Sequence, residues 1–193
     1  MVGRLLIISG ASGVGKSTLT ARLAASLEFD KVVSTDTIRE TLRTTMSVEE
    51  SPALYRSSFQ PGGSGAIADW KATIAPLREA IDAVIAREMK RGGDLLLEGV
   101  HLAPSFGIID AWRAAGGTAL GVVMHVEDSE EHVRMIASRR KHNGRPVRHY
   151  LDHIERIRAI QSEMLRLAKN SGWLTFDVTQ ADDPVGEIEE SIR

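Results

Sequence analysis

Cysteine is absent from the 193-residue sequence, which excludes disulfides and cysteine-based zinc sites. A cysteine-free chain fits a reducing compartment, and a cytoplasmic location is expected. Aromatic residues are few, at 5% of the chain, and Trp70, Trp112 and Trp173 read as core or core-edge residues rather than stacking platforms. Long hydrophobic runs are missing too. The stretch Leu5-Leu6-Ile7-Ile8 is too short for a membrane span or a signal-peptide core, so no membrane partner is expected. Nor does one sign of charge dominate: 24 basic and 26 acidic residues leave a net charge of −2. A protein steered globally onto nucleic acid is not indicated. Oligomeric state leaves no trace in the sequence.

What is present is ordinary globular material, with 42% hydrophobic residues in a length that suits one domain over residues 1–193. Apolar runs at 5–9, 31–34, 94–98, 118–126 and 173–178 predict strands. Helical patterns lie between and after them, at 17–27, 37–46, 69–91, 105–115, 130–142, 147–169 and 188–192. Leu19, Leu23 and Leu27 share one face of the first helix, and Thr37 with Glu40 suggests a capping box for the second. Residues 47–68 have no period and contain Pro61-Gly62-Gly63-Ser64-Gly65, so a mobile substrate-side segment is expected over about 40–68. Strand–helix alternation with continuous apolar strands predicts an α/β fold, a parallel sheet covered by helices on both sides.

One motif carries chemistry directly. Gly10-Ala11-Ser12-Gly13-Val14-Gly15-Lys16-Ser17 matches the Walker A pattern without a departure, after a predicted strand and before a predicted helix. Triphosphate oxygens need many donors at close range, and glycines let backbone N–H groups point inward. The helix N-terminus adds partial positive charge. Lys16 is expected to reach the β- and γ-phosphates, Ser17 to bind Mg²⁺, and Thr18 to complete the nucleotide-binding set. ATP and Mg²⁺ are the expected cofactors.

A phosphate cradle does not name a reaction. No Asn-Lys-x-Asp motif marks a switch GTPase. A motor or AAA-type ATPase is usually longer and carries a strand ending in consecutive acids, whereas the third strand here ends Leu95-Leu96-Leu97-Glu98-Gly99. Glu98 can hold Mg²⁺ through water or orient an acceptor, and His101 can contact substrate. The second strand ends with Ser34-Thr35-Asp36, and Arg39 and Arg43 follow at helical spacing. Asp36 suits the proton of an attacking hydroxyl, and Arg39 suits an anionic group already on the acceptor. Arg134, Arg139, Arg140, Lys141, Arg145 and Arg148 surround Asn143-Gly144. Such a cluster suits a lid over 129–150, with Arg139 and Arg145 neutralising the moving phosphoryl group and Arg148 on the substrate. Arg139 also belongs to the nucleotide set. Adenine is expected between the lid base near Arg139 and the loop around Thr179-Gln180. His149 and His153 are expected as surface or lid contacts.

Together the phosphate motif, Ser34-Thr35-Asp36-x-x-Arg39, Leu96-Leu97-Glu98-Gly99-Val100-His101-Leu102 and the stretch from Arg145-Pro146 to Ile157-Arg158-x-x-Gln161 resemble the kinase domain of archaeal 2-phosphoglycerate kinases. More broadly, the chain is similar to the nucleoside-monophosphate-kinase-like group. The resemblance implies a P-loop NTPase three-layer αβα sandwich with five parallel strands in the order 2-3-1-4-5 and a helical lid. It also implies ATP as donor, Mg²⁺, and transfer to the hydroxyl of 2-phosphoglycerate or a similar small phosphorylated or carboxylated metabolite. The archaeal enzymes carry a further N-terminal segment, and this chain is expected to lack it. Two other readings compete: a nucleotide-dependent binding or regulatory module, and an RNA or nucleotide-end kinase.

Overall fold

The computed structural model describes residues 2–138 and 146–192. Five strands form one sheet: β1 (Arg4–Gly10), β2 (Val32–Ser34), β3 (Leu95–Glu98), β4 (Thr118–His125) and β5 (Leu174–Asp177). Their order is β2-β3-β1-β4-β5, and every neighbouring pair is parallel. This is the topology that the resemblance implies. The helices are α1 (Lys16–Ser26), α2 (Thr35–Leu42), α3 (Ala66–Ile74), α4 (Arg78–Arg91), α5 (Phe106–Ala114), α6 (Ser129–Ser138), α7 (Val147–Leu151), α8 (Ile154–Ser171) and α9 (Pro184–Ile192).

Strand periodicity divides the core between the two faces. Leu5 and Ile7 of β1, with Leu95 and Leu97 of β3, face a cluster completed by Trp70, Ile81, Ile85, Trp112, Ile160 and Met164. Leu6 and Ile8, with Leu96, face Leu19, Leu23, Ile188 and Ile192. One face therefore carries α1 and α9, and the other carries α3, α4, α5 and α8. All three tryptophans are buried, and each indole N–H finds a carbonyl: Val100 for Trp70, Gly3 for Trp112 and Ser105 for Trp173. No helix among the described residues is long and apolar enough to cross a membrane.

Three local expectations need correction. The helix predicted over 69–91 is two helices, α3 and α4, joined by a 3-10 turn at Ala75–Leu77. Pro76 has no N–H to give, and its ring opposes the carbonyl one turn back. The helix predicted over 147–169 also breaks, at Asp152-His153. There the His153 ring donates from Nδ1 to the His149 carbonyl at 2.9 Å, while the His153 amide turns to Tyr150. A side chain has taken the acceptor that the helix would have used. The cap of α2 is Ser34, whose hydroxyl accepts from the Asp36 amide at 3.2 Å, not the Thr37–Glu40 box.

Candidate active site

Parallel register brings the carboxyl ends of three strands together. Ile8 of β1 and Ser34 of β2 both pair with Glu98 of β3. The Gly-rich turn, the start of α2 and the loop after β3 thus emerge at one sheet edge, where ligands sit in open α/β sheets.

The turn after β1 is shaped by positive φ at Gly13 (92°) and Gly15 (84°), which L side chains rarely adopt. Gly15 starts α1 with no side-chain cap, and its carbonyl accepts from the Thr18 and Leu19 amides at 3.0 and 3.2 Å. Lys16 folds back across the turn and donates from Nζ to the Ala11 carbonyl at 2.8 Å. From beneath, His132 of α6 donates from Nε2 to the Ser12 carbonyl at 2.9 Å. Burial lowers the affinity of this imidazole for a second proton, which suits a neutral donor.

The loop after β3 is pinned on every side. Gly99 donates its amide to Ile8 at 3.0 Å, Ser9 Oγ donates to Leu102 at 2.6 Å, and Trp70 holds Val100 at 2.8 Å. His101, at 1% exposure, shares a 3.0 Å hydrogen bond between Nδ1 and Thr35 Oγ1. A Cβ at Gly99 would stand 1.8 Å from that hydroxyl, so only glycine lets the two strand ends meet. Burial, reinforced by Arg39 and Lys16 and partly offset by Asp36, pushes His101 down to about 4. The ring is neutral at physiological pH.

A cavity of about 610 Å³ is lined by Gly13, Lys16 and Ser17 from the turn and by Asp36, Arg39, Arg43 and Glu98. Ser57, Ser58, Phe59 and Tyr150 complete it. Asp36 lies 3.4 Å from Arg39, and Glu98 is only 8% exposed. Arg43 is held by the Leu54 carbonyl at 2.8 Å and by Glu40 at 2.7 Å. Arg39 Nε is buried with no partner among the described residues, a donor in reserve. A smaller cavity of about 170 Å³ continues past Gly15, Lys16, Ser17 and Thr18 to Met135. Met135 also borders a third, of about 640 Å³, lined by Arg134, Val178, Thr179 and Gln180. The phosphate turn thus lies between the cavity that holds Asp36 and Arg39 and a space at the loop where adenine is expected.

Of the sequence candidates, Lys16, Ser17, Asp36, Arg39 and Glu98 meet in one cavity. His101 does not line it; the ring lies behind Thr35. Arg148 is 87% exposed, pairs with Asp152 at 3.5 Å and does not line the cavity either. Arg139 and Arg145 lie outside the described residues. Ser57, Ser58 and Phe59 carried no signal, because no motif or period marks a loop residue that long-range packing brings to a site, and nothing in the pattern of α7 singles out Tyr150 as a cavity residue.

Comparison with known proteins places this geometry. A family model described as an AAA domain matches residues 5–164. The chain belongs to that family. Among curated proteins, this AAA domain is similar to 2-phosphoglycerate kinases. It is 26% identical to that of Pyrococcus horikoshii, covering 97% of this chain and 64% of the relative. It is 28% identical to that of Pyrococcus furiosus, covering 97% and 63%. For Methanocaldococcus jannaschii the figures are 28% identity, 87% and 56%. The chain thus spans less than two thirds of the length of these relatives. The fold matches that of a putative kinase from Chloroflexus aurantiacus, with a TM-score of 0.60, 18% identity, and coverage of 100% of this chain and 98% of the other. It also matches shikimate kinase from Bacteroides thetaiotaomicron, with a TM-score of 0.56, 15% identity, and coverage of 97% of both chains.

Proposed function

We propose that the chain is an ATP-dependent kinase that transfers the γ-phosphoryl group to a hydroxyl of a small anionic metabolite resembling 2-phosphoglycerate. The observation that carries this reading is the shared cavity: the Lys16–Ser17 end of the phosphate turn and the Asp36–Arg39 pair open into the same space of about 610 Å³. A switch needs no second pocket beside its phosphates, whereas a kinase must bring its acceptor there.

In this reading the acceptor's existing phosphate or carboxylate rests on Arg39, whose buried Nε supplies an unused donor, with Arg43 beside it. Asp36 takes the proton from the acceptor hydroxyl as its oxygen bonds to the γ-phosphorus. The bond from that phosphorus to the bridging oxygen breaks, and ADP leaves. Lys16 and the first amides of α1 stabilise the charge on the phosphoryl oxygens. Ser17 and Glu98 offer oxygen ligands for Mg²⁺ in the same cavity, a donor set that suits a hard cation. When bound, the ion neutralises phosphate charge. The space around Arg134, Val178 and Gln180 suits the adenine. Arg139 and Arg145 are the residues proposed to neutralise the transferred phosphoryl group.

The test is a screen of phosphorylated hydroxy acids and sugar acids with ATP–Mg²⁺, detecting ADP, beside a control without acceptor. ADP release stimulated by 2-phosphoglycerate or a close analogue is the expected result. Slow hydrolysis that ignores every acceptor would replace the kinase with a nucleotide-driven switch.

A further inference from the structure

Ser57, Ser58 and Phe59 line the cavity that holds Asp36 and Arg39, yet no helix or strand carries them. Something else must hold this wall in place. Asp69 of α3 is 2% exposed and lies outside the cavity lining. Its Oδ2 accepts from the Gly62 amide at 2.8 Å and from Arg156 at 2.7 Å, and its Oδ1 accepts from the Ser64 amide at 3.1 Å. Its backbone carbonyl accepts from Arg56 at 2.9 Å. Arg156 of α8 uses its remaining reach to donate from Nε to the Phe59 carbonyl at 2.7 Å. The Asp69 carboxylate and the Arg156 guanidinium therefore gather the loop at Phe59, Gly62 and Ser64, and the Asp69 carbonyl adds Arg56. A Cβ on Gly62 would fall 1.6 Å from Arg56 Nη1, so a side chain there would push the Arg56 guanidinium aside.

A second support comes from α7 and the residue pair that follows it. The Phe59 ring packs on His149 at 5.2 Å, Tyr150 at 5.3 Å and His153 at 5.6 Å between centroids. Ser57 Oγ and His149 Nε2 share a 3.2 Å hydrogen bond. The wall is tied to α7 on one side and to the Asp69–Arg156 clamp on the other. The phosphate turn draws its own tertiary support from elsewhere, in the His132 contact with Ser12.

We propose that Asp69 and Arg156 are positioning residues that hold the Ser57–Phe59 wall in the shape that selects the acceptor. The inference rests on the kinase reading above, and its measurements separate the two. A buried carboxylate with three donors gives up at least one of them when an amide replaces it. The Gly62 amide above all, then the Ser64 amide and Arg156, hold Asp69 at about 2 against the effect of burial, so it stays charged across the working range.

The experiment compares the unaltered chain with Asp69→Asn and Arg156→Lys by hydrogen exchange and steady-state kinetics. In both variants the amides of 57–64 should exchange at least about tenfold faster, with residues 10–17 unchanged. With 2-phosphoglycerate as acceptor, its KM should rise about tenfold while the KM for ATP stays within about twofold. Arg156→Lys keeps the charge but cannot serve Asp69 and Phe59 together, so it carries the test if Asp69→Asn fails to fold. Unchanged exchange over 57–64, or equal rises in both KM values, would overturn the proposal. No turnover of 2-phosphoglycerate by the unaltered chain would sink the proposed acceptor class instead, and exchange alone would then judge the wall.

Discussion

The proposed phosphate side of the cavity comes from one unbroken stretch, Gly10 to Ser17, whereas the proposed acceptor side takes Asp36 and Arg39 from α2, Glu98 from β3, Ser57 to Phe59 from a loop and Tyr150 from α7. The first region is set by local rules. Glycines at positive φ and an uncapped helix start aim backbone amides at an anion, and few distant residues are consulted. The second is set by tertiary contacts such as Thr35 with His101 and Asp69 with Arg156. A phosphate looks the same whatever it is attached to, so a fixed local cradle serves every acceptor. Choosing the acceptor requires a surface that can be rebuilt without disturbing that cradle.

The largest effect should fall on the local side. Lys16→Ala removes the one side-chain cation of the phosphate turn and should lower kcat at least about a hundredfold, because the lost charge acts on the transition state. Full retained activity would take the turn out of the chemistry and remove the distinction between the two regions.

Next comes Arg39→Ala, on the assembled side. If Arg39 grips the acceptor's anion in the ground state, the acceptor KM should rise about ten- to a hundredfold, the weight of a charge-assisted hydrogen bond, with kcat little changed. A change confined to the KM for ATP would place Arg39 with the nucleotide and blur the division.

A smaller effect is expected from the seam between β2 and β3. Thr35→Val keeps the shape of the side chain but leaves His101 Nδ1 unpaired in a buried place, and kcat should fall about three- to tenfold. Asn in place of His101 keeps a donor near Nδ1 and should retain most of the activity, where Leu should not. The same imidazole sets a pH dependence. Its folded value of about 4 lies below the ordinary 6.5, so the unfolded chain binds the extra proton first. The stability tied to a neutral ring is whole above about 6.5 and drains away as pH falls towards 4. Melting temperatures should drop over that window more steeply in the unaltered chain than in His101→Asn.

The same contrast explains what could be read from sequence. The three central strands were legible because a parallel sheet buried on both faces needs continuous apolar runs, and the edge strands β2 and β5, partly exposed, were legible from shorter apolar runs. Their order came from family resemblance, which the register bears out. The phosphate motif was legible because its chemistry is contiguous. Pro76 was a visible warning inside the predicted helix, yet the apolar stripe on either side of it reads as one period. The break at His153 had no such sign, since it depends on a ring taking the His149 carbonyl. His101 looked like a substrate contact because sequence places it three residues from Glu98; it cannot show that Thr35 covers it. Asp69 and His132 were passed over for a related reason. Each acts on residues far away in the chain, and charge or aromaticity alone does not announce the partner.

The smallest effect should come from Arg148, where the expectation from sequence and the observed position part most plainly. A guanidinium near Pro146 invites a role over the substrate, as one of a basic cluster. In the structure its side chain is 87% exposed and rests 3.5 Å from Asp152, one helical turn on. Exposed pairs of this kind contribute about 0.5 kcal/mol or less and fade with salt. The residues of α7 that do reach inward are its neighbours: Tyr150 lines the cavity, and His149 packs on Phe59. Helical geometry forces that alternative, since residues one and two places apart point to different faces. Arg148→Ala should therefore leave both KM values and kcat within about twofold, with a melting temperature within a degree or two of the unaltered chain. A tenfold rise in acceptor KM would mean that closure swings this face of α7 over the substrate. The acceptor wall would then have to move with it, through Phe59 and His149, and could not be the fixed surface that Asp69 and Arg156 describe.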